Sequence, residues 1–311
     1  MYKALLIGCG NIGALYDLDS EQISTHAKAY IHSGNFELSV FDNNKELAKS
    51  IALKYNVTYV DNYEKIIQNY DCVSICTPTD THFEILNKAI NANIKVIICE
   101  KPVSKKQKEL VKIIELYKTS KSKIIVNYFR RFSPAFINLK KKISTELQAH
   151  KLLTISIRYQ KGFLNNCSHA IDLIQFLFNC EFKLKDVEKR NEVFDYFIDD
   201  PTISLNGYWE NVFINISGLV NISYNIFEID LFFDKSRISI LNSGDNLILF
   251  NSDYNNNLSC SKYISKEYEQ NSCIKNYMQP VVLKAVNLLK HEGELDNFIE
   301  SALLNFKMLK Y

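Results

Sequence analysis

The chain has 311 residues, of which 47% are hydrophobic and 23% charged, with 37 basic against 35 acidic side chains and a formal net charge of +2. That length suits two domains, and the near balance of charge excludes a broad basic surface for nucleic acid. No apolar run approaches the ~20 residues of a membrane span, and no charged leader precedes one, so no membrane partner and a cytoplasmic location are expected.

From the start to residue 126, short apolar runs alternate with helical periodicity. Ala4–Ile7, Leu38–Phe41, Val57–Val60, Cys72–Cys76, Val96–Cys99 and Ile124–Val126 read as strands. Three of them are almost continuously apolar, as strands covered on both faces must be. Between them Asn44–Tyr55, Tyr63–Gln68, Thr81–Ala92 and Lys105–Lys118 read as helices, the last with Leu110, Ile113, Ile114 and Tyr117 on one stripe. Alternation of this kind predicts a doubly wound parallel sheet of the Rossmann type.

After about residue 150 the texture changes. Leu152–Tyr159, Asn211–Leu219, Tyr224–Phe233, Arg237–Leu241 and Asn246–Phe250 alternate like strands with one packed face, and Asn242–Asp245 reads as a turn. Helices are expected at Ser168–Phe178, Tyr277–Lys290 and Leu295–Leu309, loops at Tyr196–Trp209 and around Asn255–Asn257. The fold class is therefore α/β, with a Rossmann domain over 1–126 and an α+β domain with a large, mostly antiparallel open sheet over 127–311. The last helix of that second domain is able to pack back on the first. The eight cysteines form no paired C-x-x-C cluster, so no metal site is expected and the thiols read as small buried hydrophobes.

The chemistry-bearing residues cluster at predicted strand ends. Gly8-Cys9-Gly10-Asn11-Ile12-Gly13 follows the first strand and opens a helix-like segment. Two glycines let the backbone turn and approach a pyrophosphate, the third lets helix pack on strand, and the helix amino terminus faces the phosphates. Asp42 ends the second strand where a ribose-binding acid belongs, which favours NAD over NADP; it could equally cap the helix near Asn44. After the fourth strand come Thr77 and Pro78, and then His82 at a helix start, read as a positioning or capping group. The fifth strand delivers Glu100-Lys101-Pro102 to the edge where open parallel sheets bind ligands. Lys101 is either solvent-exposed or a donor to a substrate hydroxyl, and Glu100 beside it favours the ammonium form. The cofactor-binding set is then Gly8, Gly10, Asn11, Ile12, Gly13, Asp42, Thr77, Pro78, His82 and Glu100.

Six runs in order resemble the Gfo/Idh/MocA oxidoreductases, the family of glucose–fructose and inositol dehydrogenases. They are Gly8–Gly13, His26-Ala27-Lys28-Ala29, Thr77-Pro78 with His82, Glu100-Lys101-Pro102, Arg131-Phe132 with Pro134, and His169-Ala170-Ile171-Asp172. The resemblance implies Lys101 as the catalytic lysine and His169 as base or proton relay, in a homodimer or homotetramer assembled through the second-domain sheet. It implies a nicotinamide-dependent dehydrogenase acting on a carbohydrate-like small molecule: a sugar, cyclitol or nucleotide sugar. Tyr159, Lys161 and Asn165 are the expected substrate contacts, beside Lys101 and His169. One departure stands out: many family members carry an aspartate four residues before the histidine, and here that position is Asn165. Two other readings therefore remain, an NAD-binding regulatory protein without catalysis and an NAD-dependent glycosidase with no net redox change.

Overall fold

The protein was analysed as a computed structural model, which describes residues 1–145, 148, 150–252, 264–291 and 295–311. The Asn255–Asn257 loop and Cys260 lie outside the described residues. The chain divides into two compact units, residues 1–132 with 276–311, and residues 133–275.

The first unit is built on a six-stranded parallel sheet. Its strands are β1 (Tyr2–Ile7), β2 (Phe36–Phe41), β3 (Thr58–Tyr59), β4 (Cys72–Ile75), β5 (Val96–Cys99) and β6 (Lys123–Val126), in the order β3-β2-β1-β4-β5-β6. That order reverses between β1 and β4, which opens a crevice at their carboxyl ends. Four helices accompany the strands: α1 (His26–Ser33), α2 (Lys45–Tyr55), α3 (His82–Asn91) and α4 (Gln107–Thr119). Period two along the strands sorts their side chains onto two faces. Ala4, Leu6, Val40, Val96 and Ile98 pack with α1, α2 and the Met278–Lys290 helix. Leu5, Ile7, Val73, Ile75 and Ile97 pack with α3, α4 and the Phe298–Met308 helix. Each Val, Leu or Ile among these, fully buried, contributes about 1.5–3 kcal/mol. The final two helices thus belong to the first unit, a correction to the single cut at residue 126.

Two further expectations are corrected here. Tyr63–Gln68 is not a helix; turns run through it to a short 3-10 segment at Ile67–Asn69. The helix-like segment after the glycine run is a five-residue π-type turn, Asn11–Leu15. Regular helix begins only at α1, where Thr25 accepts a hydrogen bond from the Lys28 N–H.

The second unit holds an eight-stranded, mostly antiparallel sheet. Its strands are β7 (Leu152–Tyr159), β8 (Leu184–Val193), β9 (Thr202–Trp209), β10 (Val212–Gly218), β11 (Phe227–Phe233), β12 (Ser236–Leu241), β13 (Asn246–Ser252) and β14 (Ile264–Gln270), in the order β14-β13-β12-β11-β7-β10-β9-β8. Only β7 and β10 pair in parallel. The helices α5 (Pro134–Thr145) and α6 (Ser168–Phe178) pack against each other. Residues 202–209, expected as loop, form strand β9. Ser204 and Asn206 point outward half-buried and Tyr208 exposed, alternating with buried Ile203, Leu205, Gly207 and Trp209. Six of the seven described cysteines are buried, and Cys180 is exposed. Among the described residues no helix is long and apolar enough to cross a membrane.

Candidate active site

The three glycines of the loop after β1 do different work. Gly8 adopts φ +99, and a Cβ there would lie 2.7 Å from the Cys76 carbonyl group, so only glycine lets β1 and β4 close at the crevice. A Cβ on Gly13 would overlap the Gly8 carbonyl oxygen, because the turn folds back on the strand. Gly10 differs: a Cβ there would meet nothing within 4 Å. Its bare backbone faces open space, as close approach of a ligand requires. The first turn closes with Ala14 N–H donating to the Gly10 carbonyl at 2.8 Å. Asn11 is exposed, and Ile12 is half-buried against the core.

Asp42 ties this loop to β2. One carboxylate oxygen accepts from the Cys9 N–H at 2.7 Å, the other from the Asn44 N–H at 2.8 Å. It does not cap α2; Asn44 does, accepting from the Leu47 N–H at 3.2 Å. Each Asp42 oxygen keeps a second lone pair for a ligand hydroxyl. A cleft of about 820 Å³ runs along these strand ends, with Gly8, Gly10, Asp42, Asn43, Thr77 and Pro78 in its lining. A cradle with open space at Gly10 and an acid at the next strand end fits a dinucleotide.

His82 opens α3 and is buried, with Nδ1 2.9 Å from the Pro102 carbonyl oxygen and Nε2 2.8 Å from that of Thr77. Burial lowers its pKa against the pull of both carbonyls. The ring thus links the cleft wall at Thr77 to the residue following Lys101. Thr77 in turn accepts from the Thr81 hydroxyl at 2.7 Å.

Glu100, counted from sequence among the cofactor contacts, turns inward instead. Its Oε1 lies 3.0 Å from His26 Nε2 and accepts from Asn127 Nδ2 at 2.5 Å. Burial pushes the carboxyl up, but His26, Asn127 and the charge of Lys101 outweigh it and hold it below the ordinary value. His26, fully buried, continues through Nδ1 to Ser74 Oγ at 3.0 Å, and Ser74 to the Tyr30 hydroxyl at 2.7 Å. Lys101, half-buried, follows Glu100 at the carboxyl end of β5.

The second unit carries His169 as the second residue of α6, buried, with buried Asp172 one turn further on. The chain reaches α6 through two left-handed residues, Lys161 at φ +63 and Gly162 at φ +86. Asp200 explains the second. Its carboxylate accepts from the Leu164 N–H at 2.8 Å and the Asn165 N–H at 2.7 Å, and a Cβ on Gly162 would overlap it. The Asn165 side chain donates to the Lys161 carbonyl at 3.3 Å. Lys161 Nζ donates to Asn225 at 2.8 Å and sits 5.3 Å from the Tyr196 ring centre.

Tyr159 corrects an expectation. It is wholly buried, and its hydroxyl donates to the Ile203 carbonyl and accepts from the Ile203 N–H, both at 2.8 Å. Every polar capacity of that hydroxyl serves the join between β7 and β9, so it is a core residue and not a substrate contact. The sequence reading also missed His26 as the partner of Glu100, and Asp200 altogether. A capping pair, Ser24-Thr25, ahead of an apolar helix was the available signal for His26. For Asp200 the signal was the acidic pair before Pro201. Among the described residues no group of three or more His, Cys, Asp or Glu side chains is placed to hold a metal.

Comparison with known proteins agrees with this geometry. Residues 2–128 match the GFO_IDH_MocA family, described as an oxidoreductase family with an NAD-binding Rossmann fold. An inositol 2-dehydrogenase of Rhizobium meliloti is 34% identical over 143 residues, covering 44% of this chain and 39% of that protein, so the match spans well under half of that relative. The UDP-N-acetylglucosamine 3-dehydrogenase GnnA of Acidithiobacillus ferrooxidans shares the fold, with TM-score 0.74 at 15% identity over 99% of this chain and 96% of that one. So does a super-repressor mutant of Gal80p from Saccharomyces cerevisiae, with TM-score 0.77 at 13% identity over 99% and 95%. The family model thus matches the first part of the chain, and the whole chain shares the fold of these solved structures.

Proposed function

We propose that this protein is an NAD-dependent oxidoreductase that moves a hydride between a nicotinamide cofactor and a secondary alcohol or ketone of a sugar, cyclitol or nucleotide sugar. The observation that carries the reading is the glycine loop, with Gly10 open to the cleft and Asp42 at the end of β2. The dinucleotide, when bound, supplies the hydride acceptor. Gly8, Gly10, Asn11, Ile12 and Gly13 offer backbone to its phosphates. Asp42 accepts from ribose hydroxyls and repels a 2′-phosphate, which favours NAD over NADP.

Lys101 donates to the reacting hydroxyl and stabilises the alkoxide character that develops on it. His169 accepts the proton, a task suited to an imidazole. Asn165 holds a substrate hydroxyl as a neutral amide and takes no proton, and Lys161 binds beside it. The names of the relatives, an inositol 2-dehydrogenase and a UDP-N-acetylglucosamine 3-dehydrogenase, support the substrate class. We also propose a cytoplasmic homodimer or homotetramer joined through the polar face of the second sheet, opposite Ile155, Ile157 and Tyr159.

The test is a panel of cyclitols, free sugars and nucleotide sugars with NAD⁺ or NADP⁺, followed by reduced-nicotinamide absorbance. Turnover is expected with NAD⁺ on at least one of these classes. Lys101→Ala should lower that turnover by about 10²–10³-fold, as loss of an alkoxide donor does, with NAD⁺ affinity unchanged. Near-wild-type turnover in this variant would sink the assignment. A second reading, a regulatory NAD-binding protein, is favoured by Asn165 in the aspartate position and by the shared fold of Gal80p. Tight NAD⁺ binding with no turnover on the whole panel would select it.

A further inference from the structure

His26 belongs to no step of the proposed reaction, yet it is wholly buried at the carboxyl side of the first sheet with both ring nitrogens engaged. We infer that His26 is a positioning residue for Lys101: its hydrogen bond to Glu100 keeps a buried carboxylate ionised next to the lysine. The inference rests on the reading of Lys101 as the hydroxyl-binding group.

A row of polar groups continues from the other ring nitrogen of His26. Cys72 Sγ lies 3.2 Å from the Tyr30 hydroxyl, which lies 2.7 Å from Ser74 Oγ, which lies 3.0 Å from His26 Nδ1. Burial pushes the Cys72 thiol up to about 12 and the Tyr30 hydroxyl well above its ordinary value, so both keep their protons. An ionised carboxylate only accepts, so Nε2 is the donor to Glu100.

The other side of Glu100 carries the same message. Asn127 turns its amide NH₂ to the carboxylate, while its own carbonyl oxygen is buried with no donor. A protonated Glu100 could donate to that oxygen were the amide reversed, so the observed orientation suits an anion. Buried His82 also feels this carboxylate, and burial lowers its pKa; three further neighbours titrate high. Burial raises the Cys76 and Cys99 thiols and the Tyr277 hydroxyl, with Glu100 adding to each. These three keep their protons, and among the charges bearing on Glu100 that of Lys101 adds to the pull of His26 toward the ionised carboxylate. An anion beside Lys101 keeps it an ammonium, the form able to donate to a substrate oxygen. Without the His26 donor, burial acts on Glu100 with less opposition and the carboxyl takes up a proton at higher pH.

The experiment compares full-length wild type with His26→Leu, which removes the donor, and His26→Gln, which restores an N–H. Glu100 is followed by ¹³C NMR of labelled glutamate carboxyls, assigned with Glu100→Gln, without any substrate. In His26→Leu the Glu100 titration should move up by about one pH unit or more, and in His26→Gln it should return most of the way. NAD⁺ affinity, by fluorescence titration, should stay within about threefold. On the panel alcohol that reduces NAD⁺, the acid limb of the rate profile should move in the same direction, with the neutral-pH rate down about tenfold or more. Should His26→Leu fail to fold, Ser74→Ala releases Nδ1 and should give a smaller shift of the same sign. A Glu100 titration that does not move, or a lowered melting temperature with the pH profile unchanged, overturns the inference. Full turnover in Lys101→Ala would overturn the reading of Lys101 and with it this role for His26. That outcome is recognised because the Glu100 titration would still shift.

Discussion

Two of the buried carboxylates of this protein, Asp230 in the second unit and Glu100 in the first, are held in opposite ways. On β11, Asp230 takes Arg237 Nε and Nη2 at 3.0 and 2.7 Å and the Ser239 hydroxyl at 2.5 Å on one oxygen, and Arg158 Nη2 at 2.6 Å on the other. Burial raises its pKa, and Ser239 with the two arginines lowers it by more. Guanidinium groups stay charged at every pH the protein meets, so this anion is locked. At the end of β5, Glu100 is held by an imidazole and an amide beside a lysine, all of whose donors can be gained, lost or rotated. The locked carboxylate builds a sheet. The adjustable one lies next to the residue proposed to handle a substrate, where a change of protonation has somewhere to be felt.

Breaking the locked anion should produce the largest effect on stability. Asp230→Asn leaves two part-buried arginines short of a counter-charge, and disruption of a buried pair costs about 3–5 kcal/mol. Trp209, the single tryptophan, is buried in the same unit against Phe178 and Phe182. Its fluorescence should report a clearly lower urea midpoint, while NAD⁺ still binds the folded protein. Loss of NAD⁺ binding there would erase the contrast between the two anions.

Gly8→Ala attacks the other side of the comparison. With φ +99 and a Cβ 2.7 Å from the Cys76 carbonyl group, the loop must shift away from β4. NAD⁺ affinity is expected to fall about 100-fold, a loss of ~2.7 kcal/mol, with the Trp209 unfolding signal of the second unit little changed. An unaltered NAD⁺ affinity would show that the cleft does not depend on this loop.

The smallest effect should come from Tyr159→Phe, which removes one hydroxyl that joins β7 to β9. About 1 kcal/mol of stability should be lost, with KM for the alcohol unchanged. A raised KM would return Tyr159 to the substrate site from which its burial removes it.

Much of this was readable in advance where burial is symmetrical. β5 was read with its observed bounds because Val96-Ile97-Ile98-Cys99 is covered on both faces and so is apolar throughout. The glycine run and Asp42 were legible because their chemistry needs particular residues at particular spacings. Strands β8 and β14 were not, since Leu184–Val193 and Ile264–Gln270 are polar and exposed along nearly their whole length and show no alternation. Their pairing is decided by neighbouring strands rather than by their own pattern. The inward turn of Glu100 was illegible for another reason. It depends on β4 lying between β1 and β5, which brings His26 and Ser74 to it across 74 and 26 positions of sequence. Asp200 likewise reaches the turn before α6 from 35 residues away.

One feature of the architecture bears on how the protein is made. On the six-stranded sheet the Met278–Lys290 helix completes the cover of one face beside α1 and α2, and the Phe298–Met308 helix that of the other beside α3 and α4, while residues 133–275 build a separate unit between them in sequence. A ribosome adds ~5–20 residues per second, so the six strands wait roughly 10–30 s, while that other unit is synthesised, before their cover is complete. During that interval the apolar surfaces under Met278, Val281, Val282, Phe298 and Ala302 are open to solvent. The second unit is complete first, although the first unit begins first, and a fragment ending at residue 132 would carry the whole glycine cradle on a sheet without the two helices that finish its cover.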